Sequence, residues 1–170
     1  MSEDNAIPMP KLEPLPIKTK KKKFWKQIRI WFFESRRWRV IEDWEYTHEG
    51  EVFIIPKGFV FDGASIPKTF WNILSPVGLL FIPGLIHDFA YRYDYMWVKD
   101  SNGIISKKYE GKGQEYWDDL FYKIAKNVNG MKIVNKPAWF LLSLFGCKAW
   151  NENRERNEDD LFPEGYLSQK

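Results

Sequence analysis

The stretch Trp44-Glu45-Tyr46-Thr47-His48-Glu49-Gly50-Glu51-Val52-Phe53-Ile54-Ile55, followed by Pro56-Lys57-Gly58-Phe59-Val60-Phe61, decides the fold class. Aromatic residues at 44 and 46 alternate with charged or polar neighbours, the period of two that marks a half-buried strand. His48-Glu49-Gly50 reads as a turn, which returns the chain into the apolar run Val52–Ile55. Pro56-Lys57-Gly58 is a second turn and leads into a third short run. Trp38 and Val40 extend the pattern upstream. At this tip His48 reads as a solvated turn residue beside Glu49.

Downstream the period changes. Thr69 to Ile86 carries no charge over eighteen residues, a length that brushes a membrane span. Pro76, Gly78, Pro83 and Gly84 interrupt it, so it reads as buried chain with a short helix near 67–74 and a longer helix over 83–96. Residues 97–112 read as a loop or small hairpin turning at Ser101-Asn102-Gly103. Over 113–129, Trp117, Leu120, Phe121, Ile124, Ala125 and Val128 fall at helical spacing, and Gly130 is a natural stop. Pro137 opens a last helix to about Trp150, apolar on nearly all sides and read as a core helix. A sheet segment followed by helices gives α+β: a small antiparallel hairpin or sheet packed against three to four helices. The expected core is Trp71, Leu85, Phe89, Trp117, Phe121, Ile124, Phe140 and Leu144.

Upstream, charge is placed unevenly. The chain of 170 residues has a net charge of +3, yet residues 1–39 hold eleven Lys/Arg and four Asp/Glu. A basic arm therefore precedes a mildly acidic body. Residues 1–19 read as an extended or disordered Pro-rich leader, 20–37 as a basic-aromatic arm, 38–150 as one globular domain and 151–170 as a loosely wrapped polar tail. The lysines at 18 and 20–23 precede no apolar core of signal-peptide type, so export by a signal peptide is not expected. In the arm, Phe24, Trp25, Ile28, Trp31 and Phe32 lie at helical spacing among lysines. Such a stripe suits an anionic membrane surface, or packing on the domain or on another protein. Nucleic acid is a third partner class, since lysines contact phosphate and rings stack on bases.

Composition narrows the chemistry. Hydrophobic residues make up 44% and charged residues 29%, which is globular rather than disordered. One cysteine, Cys147, excludes an intrachain disulfide, and two histidines, His48 and His87, exclude a multi-His metal site within one chain. A helical wheel of 83–96 puts Leu85, Ile86, Phe89, Ala90 and Tyr93 on one side. His87, Asp88, Tyr91 and Tyr95 gather opposite, together with Gly84. An imidazole oriented by a carboxylate can act as a general base. On the next helix, Asp118 lies at the edge of the apolar stripe and can reach His87, while Asp119 points away into water. Asp62, after an apolar strand, reads either as a helix cap with Ser65 or as a second oxygen ligand beside Asp88 for Ca²⁺ or Mg²⁺. Ser65 as a nucleophile lacks the G-x-S-x-G elbow. In the bland reading, His87 is a core histidine satisfied by Asp118 or a carbonyl.

Four blocks carry a resemblance: Gly58-Phe-Val-Phe-Asp62-Gly63-Ala64-Ser65-Ile66-Pro67, then Pro76-x-Gly78, then His87-Asp88-Phe-Ala-Tyr91, then Trp117-Asp118 through Gly146 to Trp150. In order and spacing they closely resemble a family of small bacteriophage- and prophage-encoded proteins, catalogued as a domain of unknown function. The resemblance covers about residues 50–150. It implies phage origin, with location in a virion, in host cytoplasm or at the inner-membrane surface, and it carries no activity. A second resemblance is mechanistic. His87-Asp88-x-x-Tyr91 with a later Asp118 is similar to the catalytic helices of phospholipase A2. That similarity implies His87 as general base for water, Asp88 at a calcium ion, Asp118 orienting His87, and Tyr91 in support. The calcium loop of that family has no counterpart before His87. Two expectations follow: a metal-assisted hydrolase at a membrane or cell envelope, or a non-catalytic virion or host-interaction component whose arm binds a partner.

Overall fold

A computed structural model describes residues 7–16, 37–61, 78–156 and 158–169. In chain order its elements are β1 (Leu12–Pro14), β2 (Trp38–Val40), β3 (Trp44–His48), β4 (Glu51–Ile55), β5 (Val60–Phe61), α1 (Phe81–Tyr93), β6 (Met96–Lys99), β7 (Ile105–Lys108), α2 (Gln114–Asn129), α3 (Lys132–Glu155) and α4 (Glu164–Leu167). The fold is α+β. The expected helix near 67–74, the core residue Trp71 and nearly all of the basic-aromatic arm lie outside the described residues.

The strands form two antiparallel sheets, ordered β1-β2-β5 and β3-β4-β6-β7. Glu49 and Gly50, both at positive φ (49° and 85°), make the tight turn between β3 and β4. That geometry matches the twist of a two-residue hairpin. It sets Thr47 opposite Val52 and His48 opposite Glu51. β4 lies between β3 and β6, which is why Phe53, Ile54 and Ile55 are all buried. Residues 97–112 supply the β6–β7 hairpin, so the second sheet reaches well past the expected 38–61. Of the expected leader, residues 7–16 are described, and Leu12–Pro14 pairs as an edge strand with β2. Trp44 Nε1 donates to the Pro8 carbonyl at 2.7 Å and holds this segment down.

α1 begins two residues ahead of the predicted start and keeps Pro83 in its first turn, where the missing N–H costs nothing. It stops at Asp94, which adopts the left-handed conformation (φ 54°), and its N–H caps the Ala90 carbonyl. Tyr95 is therefore off the helix. Its hydroxyl reaches Asp160 at 3.2 Å rather than lining the His87 face. α2 runs as its periodicity predicts and ends at Gly130, φ 65°.

α3 departs from expectation in extent and in role. It starts at Lys132, because Asn129 Oδ1 accepts the Met131 N–H and the Asn135 amide and turns the chain straight into a new helix. Pro137 sits within the second turn, so it forgoes a single early helical hydrogen bond. Asn135, Ala138, Leu142 and Gly146 face inward. Phe140 and Leu144, assigned to the core by sequence, are instead 55% and 56% exposed. The helix is apolar on two opposite sides and buries one of them.

The main core joins Val40, Phe53 and Ile55 of the sheets, and Phe59 just before β5, to Leu85 and Phe89 of α1 and Trp117 and Ile124 of α2. A satellite of Leu80, Phe121, Ala125, Ala138 and Leu142 cements α2 to α3. The tail is anchored rather than loose. Trp97 Nε1 donates to the Leu161 carbonyl at 2.9 Å, its ring lies 4.7 Å from that of Tyr166, and the Glu164 N–H donates to Asp43 at 2.6 Å. Residues 151–155 belong to α3.

His48 is buried as well, at 4% exposure. The alternation of β3 turns Trp44, Tyr46 and His48 to one face, where His48 lies beside the Tyr46 and Phe53 rings. Its Nδ1 is 3.3 Å from the Asn127 amide. Burial holds its pKa below the usual imidazole value, and Lys123 pushes the same way against the pull of Glu49 and Glu51.

Candidate functional site

Asp94 is the joint that positions the site. Besides capping α1, its Oδ1 accepts Trp117 Nε1 at 2.8 Å and the Gly113 N–H at 3.3 Å, so the end of α1 is pinned to the start of α2. From the far end of α3, Arg154 Nη2 donates to the carbonyls of Tyr91 and Arg92 at 2.5 and 2.7 Å. A cation there satisfies orphan carbonyls and matches the negative end of the helix dipole. Three helices are thereby fixed around one point.

At that point lie His87 and Tyr91 of α1 and Asp118 of α2. His87 Nε2 is 2.8 Å from Asp118 Oδ1, and the Tyr91 hydroxyl donates to the same oxygen at 2.6 Å. Gln114, one turn before Asp118, donates to Oδ2 at 3.3 Å. The residues that sequence reasoning nominated as base, orienter and support are thus brought together. Gln114 was missed, although its spacing of four from Asp118 on α2 was available as a signal. The His87 and Asp118 side chains are 2% and 3% exposed. A carboxylate this deep costs several kcal/mol to desolvate, and donors on both oxygens offset that cost.

The rings complete the enclosure. His87 lies 4.0 Å from the Tyr91 ring centroid and edge-on to Phe121 at 5.6 Å, and Tyr91 meets Trp150 edge-on at 5.3 Å. Burial pushes the Tyr91 phenol far above its usual pKa, and the hydrogen bond and charge of Asp118 add to the rise. Both effects favour the protonated phenol that donates to Asp118. Gly146 of α3 closes the network from above. A Cβ there would collide with the Tyr91 hydroxyl and come within 3.0 Å of Gln114 Nε2.

In a neutral imidazole, donation from Nε2 to Asp118 leaves the lone pair on Nδ1. That tautomer is the one a general base needs. Asp119 is exposed and accepts from Trp139 Nε1 at 3.1 Å, away from His87. Asp88 is half-buried on α1, and Asp62, its expected partner at an ion, lies outside the described residues. Among the described residues no group of three His, Cys, Asp or Glu side chains is placed to hold a metal ion. Among them, too, no helix is long and apolar enough to cross a membrane.

A family model described as a protein of unknown function (DUF1353) matches residues 38–141. No curated protein and no solved structure matches the chain.

Proposed function

We propose for this chain, which belongs to the DUF1353 family of proteins of unknown function, that it is a small phage-type hydrolase acting at an anionic membrane or envelope surface. The observation that carries this reading is the shared Asp118 oxygen, 2.8 Å from His87 Nε2 and 2.6 Å from the Tyr91 hydroxyl. In the reaction, His87 Nδ1 takes a proton from water as the water oxygen bonds to an ester carbonyl carbon. The imidazolium then returns the proton to the leaving alkoxide as the C–O bond breaks. Asp118 holds the tautomer and stabilises the imidazolium, and Tyr91 fixes Asp118. Asp88 with Asp62 would hold Ca²⁺ or Mg²⁺, and the ion's chemistry there would be to polarise the carbonyl. The described residues do not by themselves complete such a site.

The surface preference rests on α3. Ile133, Phe140, Leu144 and Phe145 are 80%, 55%, 56% and 57% exposed on the helix that caps the site. Lys132, Lys136 and Lys148 flank them, and no acidic residue occurs in α3 before Glu152. An exposed apolar stripe between lysines complements anionic lipid. A second copy of α3, or the more strongly basic residues 20–37, would set lysine against lysine.

The test is fatty-acid release from liposomes of mixed zwitterionic and anionic phospholipid, read by mass spectrometry, with Ca²⁺, Mg²⁺ or chelator present. His87→Gln is expected to cut release by about 10²–10⁴-fold, the usual worth of a general base. Lys132→Gln, Lys136→Gln and Lys148→Gln together are expected to weaken vesicle binding about 100-fold, at about 1 kcal/mol per lysine. No release from folded protein that still binds the vesicles would overturn the hydrolase reading.

The near-complete burial of His87 and Asp118 favours a second reading, a non-catalytic virion component or host-interaction module with a buried polar network. Its arm at 20–37 would bind another phage protein, lipid or nucleic acid. Full release activity in a folded His87→Gln protein is incompatible with a catalytic His87, and loss of stability alone would fit this second reading.

A further inference from the structure

On the opposite flank of α1 from His87 lies a cavity of about 720 Å³, walled by β2, β5, the end of α1 and the chain that follows α3. Arg37, Arg39, Arg92 and Arg156 line it, against two acidic lining residues, Glu158 and Asp159. These guanidinium groups come from segments more than fifty residues apart in sequence, so only the fold assembles them. We propose that this cavity is a binding site for a compact polyanion with adjacent phosphate groups.

The ion pairs at the cavity are loose. Glu158 is divided between Arg92 at 3.5 Å and Arg156 at 3.8 Å, and Arg39 reaches Glu13 at 3.4 Å. A charge-assisted N–H···O bond closes to about 2.7–2.9 Å. Elsewhere the chain achieves this, with Lys107–Asp160 at 2.6 Å and Lys108–Glu51 at 2.7 Å. At the cavity the arginines keep unspent hydrogen-bonding capacity. Among the described residues Arg37 has no ion pair, and the buried Arg92 Nε has no hydrogen-bond partner.

Chemistry selects the ligand class. Planar guanidinium forks match phosphate oxygens in pairs, and four of them against two carboxylates leave an excess of positive charge. One isolated carboxylate would occupy one fork, whereas adjacent phosphates present oxygens to several. Val60 and Leu161 supply an apolar wall, and Tyr93 a ring, for an organic portion. A volume of this size accommodates a nucleotide-sized molecule. The same chemistry is offered by a free phosphorylated metabolite and by a lipid headgroup.

The experiment is calorimetric titration of the full chain with inorganic pyrophosphate at low salt. Saturable one-site binding is expected. It should weaken at least tenfold in Arg37→Ala/Arg39→Ala, whose side chains are exposed on β2 and its flank, and fall as salt is raised. The α3 variant Lys132→Gln/Lys136→Gln/Lys148→Gln should bind as the parent does. Absence of saturable binding, or equal weakening in the α3 variant, would overturn the proposal. Two further arms separate the sources. Tighter binding of a nucleoside diphosphate than of pyrophosphate supports a free ligand. Displacement of the protein from anionic vesicles by pyrophosphate, lost in Arg37→Ala/Arg39→Ala, supports a headgroup.

Discussion

Gly146→Ala should destabilise the protein even though alanine is the better helix former. In an unobstructed helix interior the substitution gains about 0.5–1 kcal/mol, from the backbone freedom glycine loses on folding. At Gly146 the new methyl group would overlap the Tyr91 hydroxyl and stand 3.0 Å from Gln114 Nε2 and 3.3 Å from Tyr91 Cζ. Tyr91 cannot swing aside cheaply, because its ring is packed against Trp150 and His87. The phenol must retreat by about 1 Å, and overpacking of that size costs about 1–3 kcal/mol. The retreat also stretches a 2.6 Å bond to a buried carboxylate. Such a bond contributes about 1.5–3 kcal/mol. These costs overlap, so the expected net loss is about 1–3 kcal/mol, or about 3–10 °C in Tm for a chain of this size. Gly84→Ala is the matched control, because a Cβ on Gly84 in α1 meets nothing within 4 Å. It should gain about 0.5–1 kcal/mol. Thermal unfolding of both variants by near-ultraviolet circular dichroism decides the matter. Gly146→Ala at or above parental stability would refute the packing described at Tyr91.

Two other outcomes follow from the same geometry. Asp118→Ala strips an acceptor from His87, Tyr91 and Gln114 at once, and should cost about 3–5 kcal/mol in urea unfolding, as for a broken buried pair; a loss under about 1 kcal/mol would mean the network is wet. The depressed pKa of His48 means that the unfolded chain binds its proton first as pH falls. This stabilisation is complete above about pH 6.5 and drains away below it, so the parent should lose more stability between pH 7 and 5 than His48→Gln does. The depressed pKa of Glu51, where hydrogen bonds from Lys108 and Tyr109 outweigh burial, acts only at lower pH, below the usual glutamate value. Parallel pH profiles for the parent and His48→Gln would contradict the burial of that ring.

Much of the fold is legible because its signals are local. α2 announces itself by six apolar positions at helical spacing and a terminal glycine, and the same wheel separates Asp118 from Asp119. The β3–β4 hairpin is equally plain. Other features depend on partners that no local window contains. Leu12–Pro14 has too few residues for any periodicity, and its proline is tolerated only because the strand is an edge. His48 reads as a turn residue from its neighbours, yet the alternation Trp44, Tyr46, His48 already pointed it inward. For α3, apolar composition on all sides cannot say which side is covered; Ala138 and Gly146 mark the covered side, since small residues there allow close approach. The arginine cavity is the extreme case, since Arg37 and Arg156 become neighbours only through the finished fold.

Gly146 also bears on the order in which the molecule acquires its chemistry. His87, Tyr91 and Asp118 lie on adjacent helices joined by a short hairpin and can meet early. What covers the Tyr91 hydroxyl and Gln114 is the bare backbone of a helix whose contacting residue, Gly146, lies 28 positions after Asp118. Until that helix docks, solvent competes for every donor and acceptor in the trio, and the imidazole has no fixed tautomer. On the proposed hydrolase reading, a half-folded chain is chemically quiet. For a protein proposed to attack membranes, such a delay would spare the cell that is still making it, with folding itself serving as the safety catch.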